Sequence, residues 1–382
     1  MGDNVKIHGH TPPRSDGLLH QQPLPFLPNE LIFEILLWLP VRTLLLFKCV
    51  CKSWKTLISS DPKFTKTHLQ RLTVNPSIKT HQRLFSSYAT LGSRKIVSFA
   101  IKPLLENPSA PTKPVEFTME HRYSIIGSCN GLLCLFHVLE GYVKLWNPSI
   151  GLKSKNSPSL DCYDNKRISI TYHGFGYDHI NDKYKVLLVV VGRLGSEKVT
   201  QIYTFGGNSW TTIQNFPCFH PSRLIGKFVS GTLNWVVPKR GVFSNKSVIL
   251  SFDLAKETCN ELLLPEHDAV NVRNPVLSVL SNCLFVCFDS INTHWDFWLM
   301  KKHGVAESWT RLTNMITFPH RQQPWPSCFQ PLFIFENSIV LSSTITKFVL
   351  YNLNNGRLDY LPGCNIMLNQ HIYSESLVSP QL

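Results

Sequence analysis

The chain has 382 residues, 43% of them apolar and 11% aromatic, with a formal net charge of +13. That composition is globular, with room for one large domain and one small one, and it excludes a fibrous or wholly disordered chain. Residues 1–100 carry 13 Lys/Arg against 5 Asp/Glu, whereas the remainder carries 25 against 20, so the bulk is only mildly basic and no nucleic-acid partner is expected. The first 23 residues, with Pro12-Pro13 and Gln21-Gln22-Pro23, read as a disordered tail, and His8 and His10 within it lack further metal ligands. Eleven cysteines, an odd count without a CxxC pair, and no secretory or membrane-length apolar run predict a reduced compartment: cytoplasm, nucleus or both. Cys49, Cys51, Cys283 and Cys287 stand among apolar neighbours and are expected to be small buried residues.

Residues 24–70 are predicted to be helical. Between Leu27 and Val50, 16 of 24 residues are apolar. Leu31, Ile32, Phe33, Ile35, Leu36, Leu37, Trp38 and Leu39 cover nearly the whole circumference of one helix, which must then be covered on all sides. A segment of this size cannot bury so much surface by itself, so a partner protein is expected to do it. A membrane span is excluded, because the longest charge-free piece, Ile35 to Val41, is seven residues and a span needs about 20. Pro28-Asn29 opens the first helix, Pro40 ends it and Asp61-Pro62 opens another, which predicts a three-helix unit. Lys48, Lys52 and Lys55 read as a solvated face.

The pattern Leu27-Pro28…Glu30-Leu31-Ile32…Ile35-Leu36…Leu39-Pro40-Val41…Leu44-Leu45…Cys49-Val50-Cys51-Lys52-Ser53-Trp54…Leu57-Ile58…Asp61-Pro62…Phe64…His68-Leu69 resembles the F-box. The resemblance implies docking on the Skp-type adaptor of a cullin–RING (SCF) ubiquitin ligase. It implies that Leu27, Pro28, Ile35, Leu36, Leu39, Pro40, Val41, Leu44, Leu45, Val50 and Trp54 contact the adaptor or support that interface. Sequence does not separate contact from support, and Trp54 and Phe64 read equally as the unit's own core.

After Leu72 helical periodicity gives way to short β-branched and aromatic runs between Gly, Asn, Asp and Ser turns. Aromatic anchors recur at Trp146, Tyr203, Phe252, Trp298 and Tyr351, at steps of 57, 49, 46 and 53 residues. A second series of hairpin tips falls between them, at Cys129-Asn130-Gly131, Asn181-Asp182, Ser230-Gly231-Thr232, Ser281-Asn282 and Glu336-Asn337. Two interleaved hairpin series with a period near 50 mean four strands per unit, the pattern of kelch-type propeller blades. Five units are visible. Strand-like runs within residues 83–101 and the final Ile372–Val378 segment are expected to share one more blade and close the ring, giving about six.

Gly127-Ser128-Cys129-Asn130-Gly131-Leu132-Leu133, Leu145-Trp146-Asn147-Pro148, Gly174-Phe175-Gly176-Tyr177-Asp178, Asp182-Lys183-Tyr184-Lys185-Val186, Gly231-Thr232-Leu233-Asn234-Trp235 and Glu307-Ser308-Trp309-Thr310 are similar to the plant F-box-associated interaction domain. The resemblance implies a target-binding domain. The expected fold is therefore mainly β with a small α domain. A disordered tail (1–23) precedes the three-helix F-box (24–70), then come a linker with the first propeller strands (71–119), a kelch-like β-propeller (120–378) and a short tail (379–382).

Catalytic chemistry is not expected. Gly127-Ser128-Cys129-Asn130-Gly131 has the spacing of a nucleophile elbow, but Leu132–Phe136 is another apolar run instead of a helix, and Asn130-Gly131 is a hairpin-turn signal. Gly174-Phe175-Gly176 lacks the Lys and helix of a phosphate loop and reads as close strand approach. No Walker, GxGxxG or HExxH pattern occurs, and neither metal nor cofactor is expected. Trp146, Trp210, Trp235 and Trp309 read as inter-blade core. Target contact is assigned to two loops: Phe318–Pro326, with His320, Arg321 and Trp325, and Val191–Lys198, with Arg193. The expected activity is recruitment of an unknown target protein to an SCF ligase; the alternatives are a non-degradative F-box scaffold or a propeller enzyme.

Overall fold

A computed structural model describes residues 27–74, 82–90, 93–106, 115–119, 123–160, 168–192, 198–217, 224–239, 247–266, 275–290, 294–312, 329–335, 338–343, 348–361 and 370–381. No helix among them is long and apolar enough to cross a membrane.

The helical unit has four helices, not the three the sequence suggests: α1 (Asn29–Leu37), α2 (Val41–Phe47), α3 (Lys52–Ser60) and α4 (Pro62–Val74). The extra break falls at residues 48–51. Cys49 and Val50 turn their amides back onto Leu46 O and Phe47 O, and Cys51 is extended (φ −155°) before α3 starts. The proline punctuation behaves as predicted. Pro28 and Pro40 precede α1 and α2, and each carbonyl accepts an amide of the first turn, Ile32 N at 3.1 Å and Leu44 N at 3.0 Å. Asp61 caps α4, its Oδ1 accepting from Phe64 N at 3.0 Å, with Pro62 as the first helical residue.

The rest is a ring of sheets. The first sheet takes β1 (Gln82–Thr90), β2 (Ser93–Ala100) and, after the short α5 (Ile101–Glu106), β3 (Val115–Met119). The second is β4 (Tyr123–Cys129), β5 (Leu132–His137), β6 (Val143–Asn147) and β7 (Leu152–Lys153). The third is β8 (Ile168–Asp178), β9 (Lys183–Gly192), β10 (Lys198–Thr204) and β11 (Thr211–Thr212), with β12 (Leu224–Ile225) added in parallel to β8. The fourth is β13 (Lys227–Val229), β14 (Thr232–Pro238), β15 (Ser247–Asp253) and β16 (Thr258–Leu262). The fifth is β17 (Val276–Leu280), β18 (Cys283–Ser290), β19 (His294–Met300) and β20 (Trp309–Arg311). The sixth is β21 (Phe329–Phe335), β22 (Ser338–Ser343), β23 (Phe348–Asn352) and β24 (Leu358–Leu361).

The last strand, β25 (Gln370–Ser374), returns to the first sheet and pairs antiparallel with β1, from Gln82↔Ser374 to Ser86↔Gln370. Innermost strands then touch in a closed cycle, β25 to β4, β8, β13, β17, β21 and back to β25. Closure joins the two chain ends of the ring in one blade, as the sequence suggests, and leaves no sheet with an unpaired face. The five aromatic anchors lie on β6, β10, β15, β19 and β23, the third strand of each later blade. The predicted tips join first to second strands. Three are two-residue turns with both φ values positive: Asn130-Gly131 (52°, 74°), Ser230-Gly231 (48°, 79°) and Ser281-Asn282 (50°, 61°). Glu336-Asn337 lies outside the described residues.

Apolar clusters fill the spaces between neighbouring sheets. One joins β8–β10 to β14 and β15 through Tyr172, Leu187, Ile202, Trp235 and Phe252. Gly174 and Gly176 allow that approach: a Cβ on Gly176 would stand 2.3 Å from the Phe228 ring, and one on Gly174 2.9 Å from Leu233. Trp146, Trp210 and Trp235 are buried as expected, and Trp309 is half-buried.

Candidate functional site

The helical unit has a compact core. Leu36, Leu37, Val41, Leu44, Ile58 and Phe64 are buried together, and Phe33 meets Phe64 edge-on at 5.4 Å between ring centres. Phe47 packs on Trp54 at 5.4 Å, and a His68 ring nitrogen lies 2.9 Å from Leu39 O. Arg71 ties α4 to α1, with Nη2 donating to Glu34 Oε2 at 2.6 Å and its guanidinium 4.9 Å from the Trp38 ring centre.

Outside that core an apolar stripe remains uncovered. Leu27 is 45% exposed, Leu31 51%, Ile35 52% and Trp38 58%. Steps of four and three residues put Leu31, Ile35 and the C-cap residue Trp38 on one face of α1, and Leu27 lies just before the helix begins. Leu46 and Val50, at the end of α2 and in the turn after it, are exposed as well. Covering the exposed half of each side chain would contribute on the order of 1 kcal/mol apiece.

The structure sorts the eleven residues implied by the F-box resemblance. Leu27, Pro28, Ile35 and Val50 are exposed, and Leu39, Pro40, Leu45 and Trp54 are half-buried. Leu36, Val41 and Leu44 are buried within the unit, so any role they have in docking is as its internal support. Leu31, Trp38 and Leu46 belong to the exposed set and were not in the inferred one. The i, i+4, i+7 spacing of Leu31, Ile35 and Trp38 carried that signal for Leu31 and Trp38. A correction applies to Cys49 and Cys51, which are exposed and not buried as their apolar neighbours suggested. Both sit at the break between α2 and α3, where the chain turns outward. A hydrogen-bonding contact with Ser53, at 3.1 Å, leads the causes that lower the Cys51 thiol's pKa. Cys287 is buried and Cys283 half-buried. Lys52 and Lys55 are solvated as expected, while Lys48 is half-buried and its pKa is lowered by burial.

The helical unit is seated on the ring. Residues 375–381 run on from β25, and Leu377 enters the helical core, where Ile150, from the turn after β6, also packs. Glu375 accepts from Arg42 Nε at 3.1 Å and lies 3.6 Å from Arg83 Nη1 on β1. Asn147 holds the same segment, its Nδ2 donating to Ser376 O at 3.0 Å and Val378 O at 2.8 Å, while Ser376 Oγ donates to Asn130 O at 3.0 Å. Gly131 has no Cβ here because one would stand 2.2 Å from Ser376 Oγ. Arg193, His320, Arg321 and Trp325, the residues assigned to target contact, lie outside the described residues. Among the described residues, no group of three or more His, Cys, Asp or Glu is placed to hold a metal ion.

Comparison with known proteins divides the chain in the same way. Residues 24–66 match the sequence profile of the F-box domain, and residues 79–360 that of the F-box associated beta propeller domain. The F-box/kelch-repeat protein At3g23880 of Arabidopsis thaliana is 31% identical over 370 residues, covering 93% of this chain and 96% of that protein. Two other Arabidopsis thaliana proteins align over most of their length. F-box protein CPR1 is 25% identical over 88% of this chain and 84% of its own, and F-box protein At3g07870 is 26% identical over 82% and 78%.

Proposed function

Because the chain belongs to the F-box proteins that carry an F-box-associated β-propeller, we propose that it is the target-recruiting subunit of an SCF-type cullin–RING ubiquitin ligase. The observation that carries this reading is the stripe Leu27, Leu31, Ile35 and Trp38, left exposed on a helical unit whose own core is already filled. Four large apolar side chains left in water gain nothing there, and an adaptor helix laid against them removes that surface. The propeller holds a target protein on its loops, in cytoplasm or nucleus. The chain itself makes and breaks no bonds. Recruitment acts by concentration: a held target keeps its lysines near the charged conjugating enzyme. The seat at Leu377 and Glu375 keeps that distance set, since a swinging propeller would dilute its cargo.

The test is capture of a Skp-type adaptor by the full chain. Leu31→Asp with Ile35→Asp places two charges in the covered stripe and is expected to abolish capture while circular dichroism stays unchanged. Capture undiminished by that pair would remove the reading. Leu36→Asp is the wrong probe, because Leu36 is 1% exposed and a charge there unfolds the unit.

A further inference from the structure

The joint between helical unit and ring holds a cavity of about 230 Å³. It is lined by Arg42 from α2, Arg83 and Phe85 from β1, Phe117 from β3, and Tyr373 and Glu375 from β25 and the segment after it.

One part of the lining is aromatic. Phe117 stacks against Phe85 at 6.1 Å between ring centres and meets Trp146 edge-on at 5.1 Å, and Phe85 meets Tyr373 edge-on at 5.0 Å. The Tyr373 hydroxyl is already engaged, donating to Asn147 Oδ1 at 2.8 Å and accepting from Ser149 N at 3.1 Å. Its ring is what remains for a ligand.

The other part carries unbalanced charge. Glu375 is the acidic residue of the lining and serves both arginines. Arg42 Nε donates to its Oε1 at 3.1 Å, and Arg83 Nη1 lies 3.6 Å from the same oxygen, too long for a good hydrogen bond. Ser98 holds Arg83 in place, its Oγ accepting from Nε at 2.6 Å and its carbonyl from Nη2 at 3.1 Å. Burial and then the charge of Arg42 lower the Arg83 pKa, and Glu375 opposes them. Two guanidiniums against one carboxylate leave one positive charge over. Arg42 can present it: its side chain is 65% exposed, and neither Nη group has a hydrogen-bond partner among the described residues.

A ligand that answers both features has an aromatic ring for Phe117 and Phe85 and one carboxylate for the Arg42 fork. Volume limits its size. A cavity of about 150 Å³ takes up benzene, so this one has room for one ring and a short acid arm. A neutral ring leaves the guanidinium unanswered, and a dianion brings more negative charge beside Glu375 than the surplus can balance.

We propose that the cavity at the joint binds a small aromatic monocarboxylate, its acid on Arg42 and its ring on Phe117 and Phe85. Such a ligand bridges α2 and the first sheet, and so fastens the helical unit to the ring. The site is independent of adaptor docking.

The test is calorimetric titration of the full chain at neutral pH and matched ionic strength with phenylacetate, acetate and phenylacetamide. Phenylacetate is expected to bind with a dissociation constant below about 1 mM. Acetate, which lacks the ring, and phenylacetamide, which lacks the charge, are expected to bind at least about tenfold more weakly. Arg42→Gln should weaken phenylacetate by about tenfold or more and leave phenylacetamide unchanged, a difference that a merely loosened joint would not produce. Val115→Trp, at a 40% exposed position that also lines the cavity, puts a ring of the chain's own into the space and should abolish binding without touching either arginine. No saturable heat with phenylacetate, equal affinity for acetate or phenylacetamide, or phenylacetate affinity unchanged in folded Arg42→Gln overturns the proposal. Should Arg42→Gln fail to fold, the ligand series on the unmutated protein and Val115→Trp decide.

Discussion

The helices and the ring use the same apolar residue types and arrive at opposite surfaces. Of the exposed large hydrophobic side chains among the described residues, Leu27, Leu31, Ile35, Trp38, Leu46 and Val50 belong to residues 27–50. The much longer ring contributes Val115, Val138, Leu152, Ile180 and Leu263, which are scattered. A sheet in the ring has a neighbour on each face, so closure covers every blade with another copy of the same architecture. Four short helices have no such neighbour. They can fill one small core and seat it on Leu377 and Ile150, and the outer face of α1 is left over. The ring covers most of its own apolar surface, and the helical unit leaves a cluster uncovered.

That contrast can be broken at either end. The largest effect is expected in the ring. Trp235→Ala empties the space between the third and fourth sheets, where the indole packs by Gly174 and Gly226, and should cost about 3–5 kcal/mol in urea denaturation. Leu377→Ala removes a residue from the ring side that is buried in the helical core and should cost about 2–4 kcal/mol. Its distinguishing sign is a calorimetric transition that splits into separate helical and ring components. A single unsplit transition would show that Arg42–Glu375 and Asn147 suffice to couple the regions.

Acid probes the ring from inside. His371 titrates near 6.5 in the unfolded chain and is held down to about 3 in the fold. The unfolded chain therefore binds the extra proton first, so His371's contribution is whole above pH 6.5 and is lost as pH falls from there toward 3. His371→Phe should flatten that part of the stability profile. The smallest effect on stability belongs to the stripe. Ile35→Asp, at a half-exposed position, should change unfolding free energy by no more than about 0.5 kcal/mol while adaptor capture is lost. A large destabilisation there would place Ile35 in the core and erase the contrast.

Much of the fold was legible because its signals are local. Asn130-Gly131, Ser230-Gly231 and Ser281-Asn282 favour backbone angles that few other pairs accept, and the strands on either side follow from them. Pro28, Pro40 and Asp61-Pro62 mark helix starts for the same kind of reason. The break at 48–51 was missed because it contains neither Gly nor Pro; it comes from Cys51 extending so that Trp54 can turn back onto Phe47. Burial of Leu36 against exposure of Ile35 was equally hidden. Both are large and apolar, and which one faces α4 depends on where α4 packs.

By itself the sequence determined the order of parts: an F-box, then blades with a period near 50 residues and a last strand able to pair with the first. Those features rest on backbone preferences and periodicity, which act over a few residues at a time. Tertiary structure alone decided which apolar residues the helices keep for themselves and how residues 375–381 lock helices to ring. Each of these depends on surfaces distant in the chain competing for the same space, and no local preference records who wins.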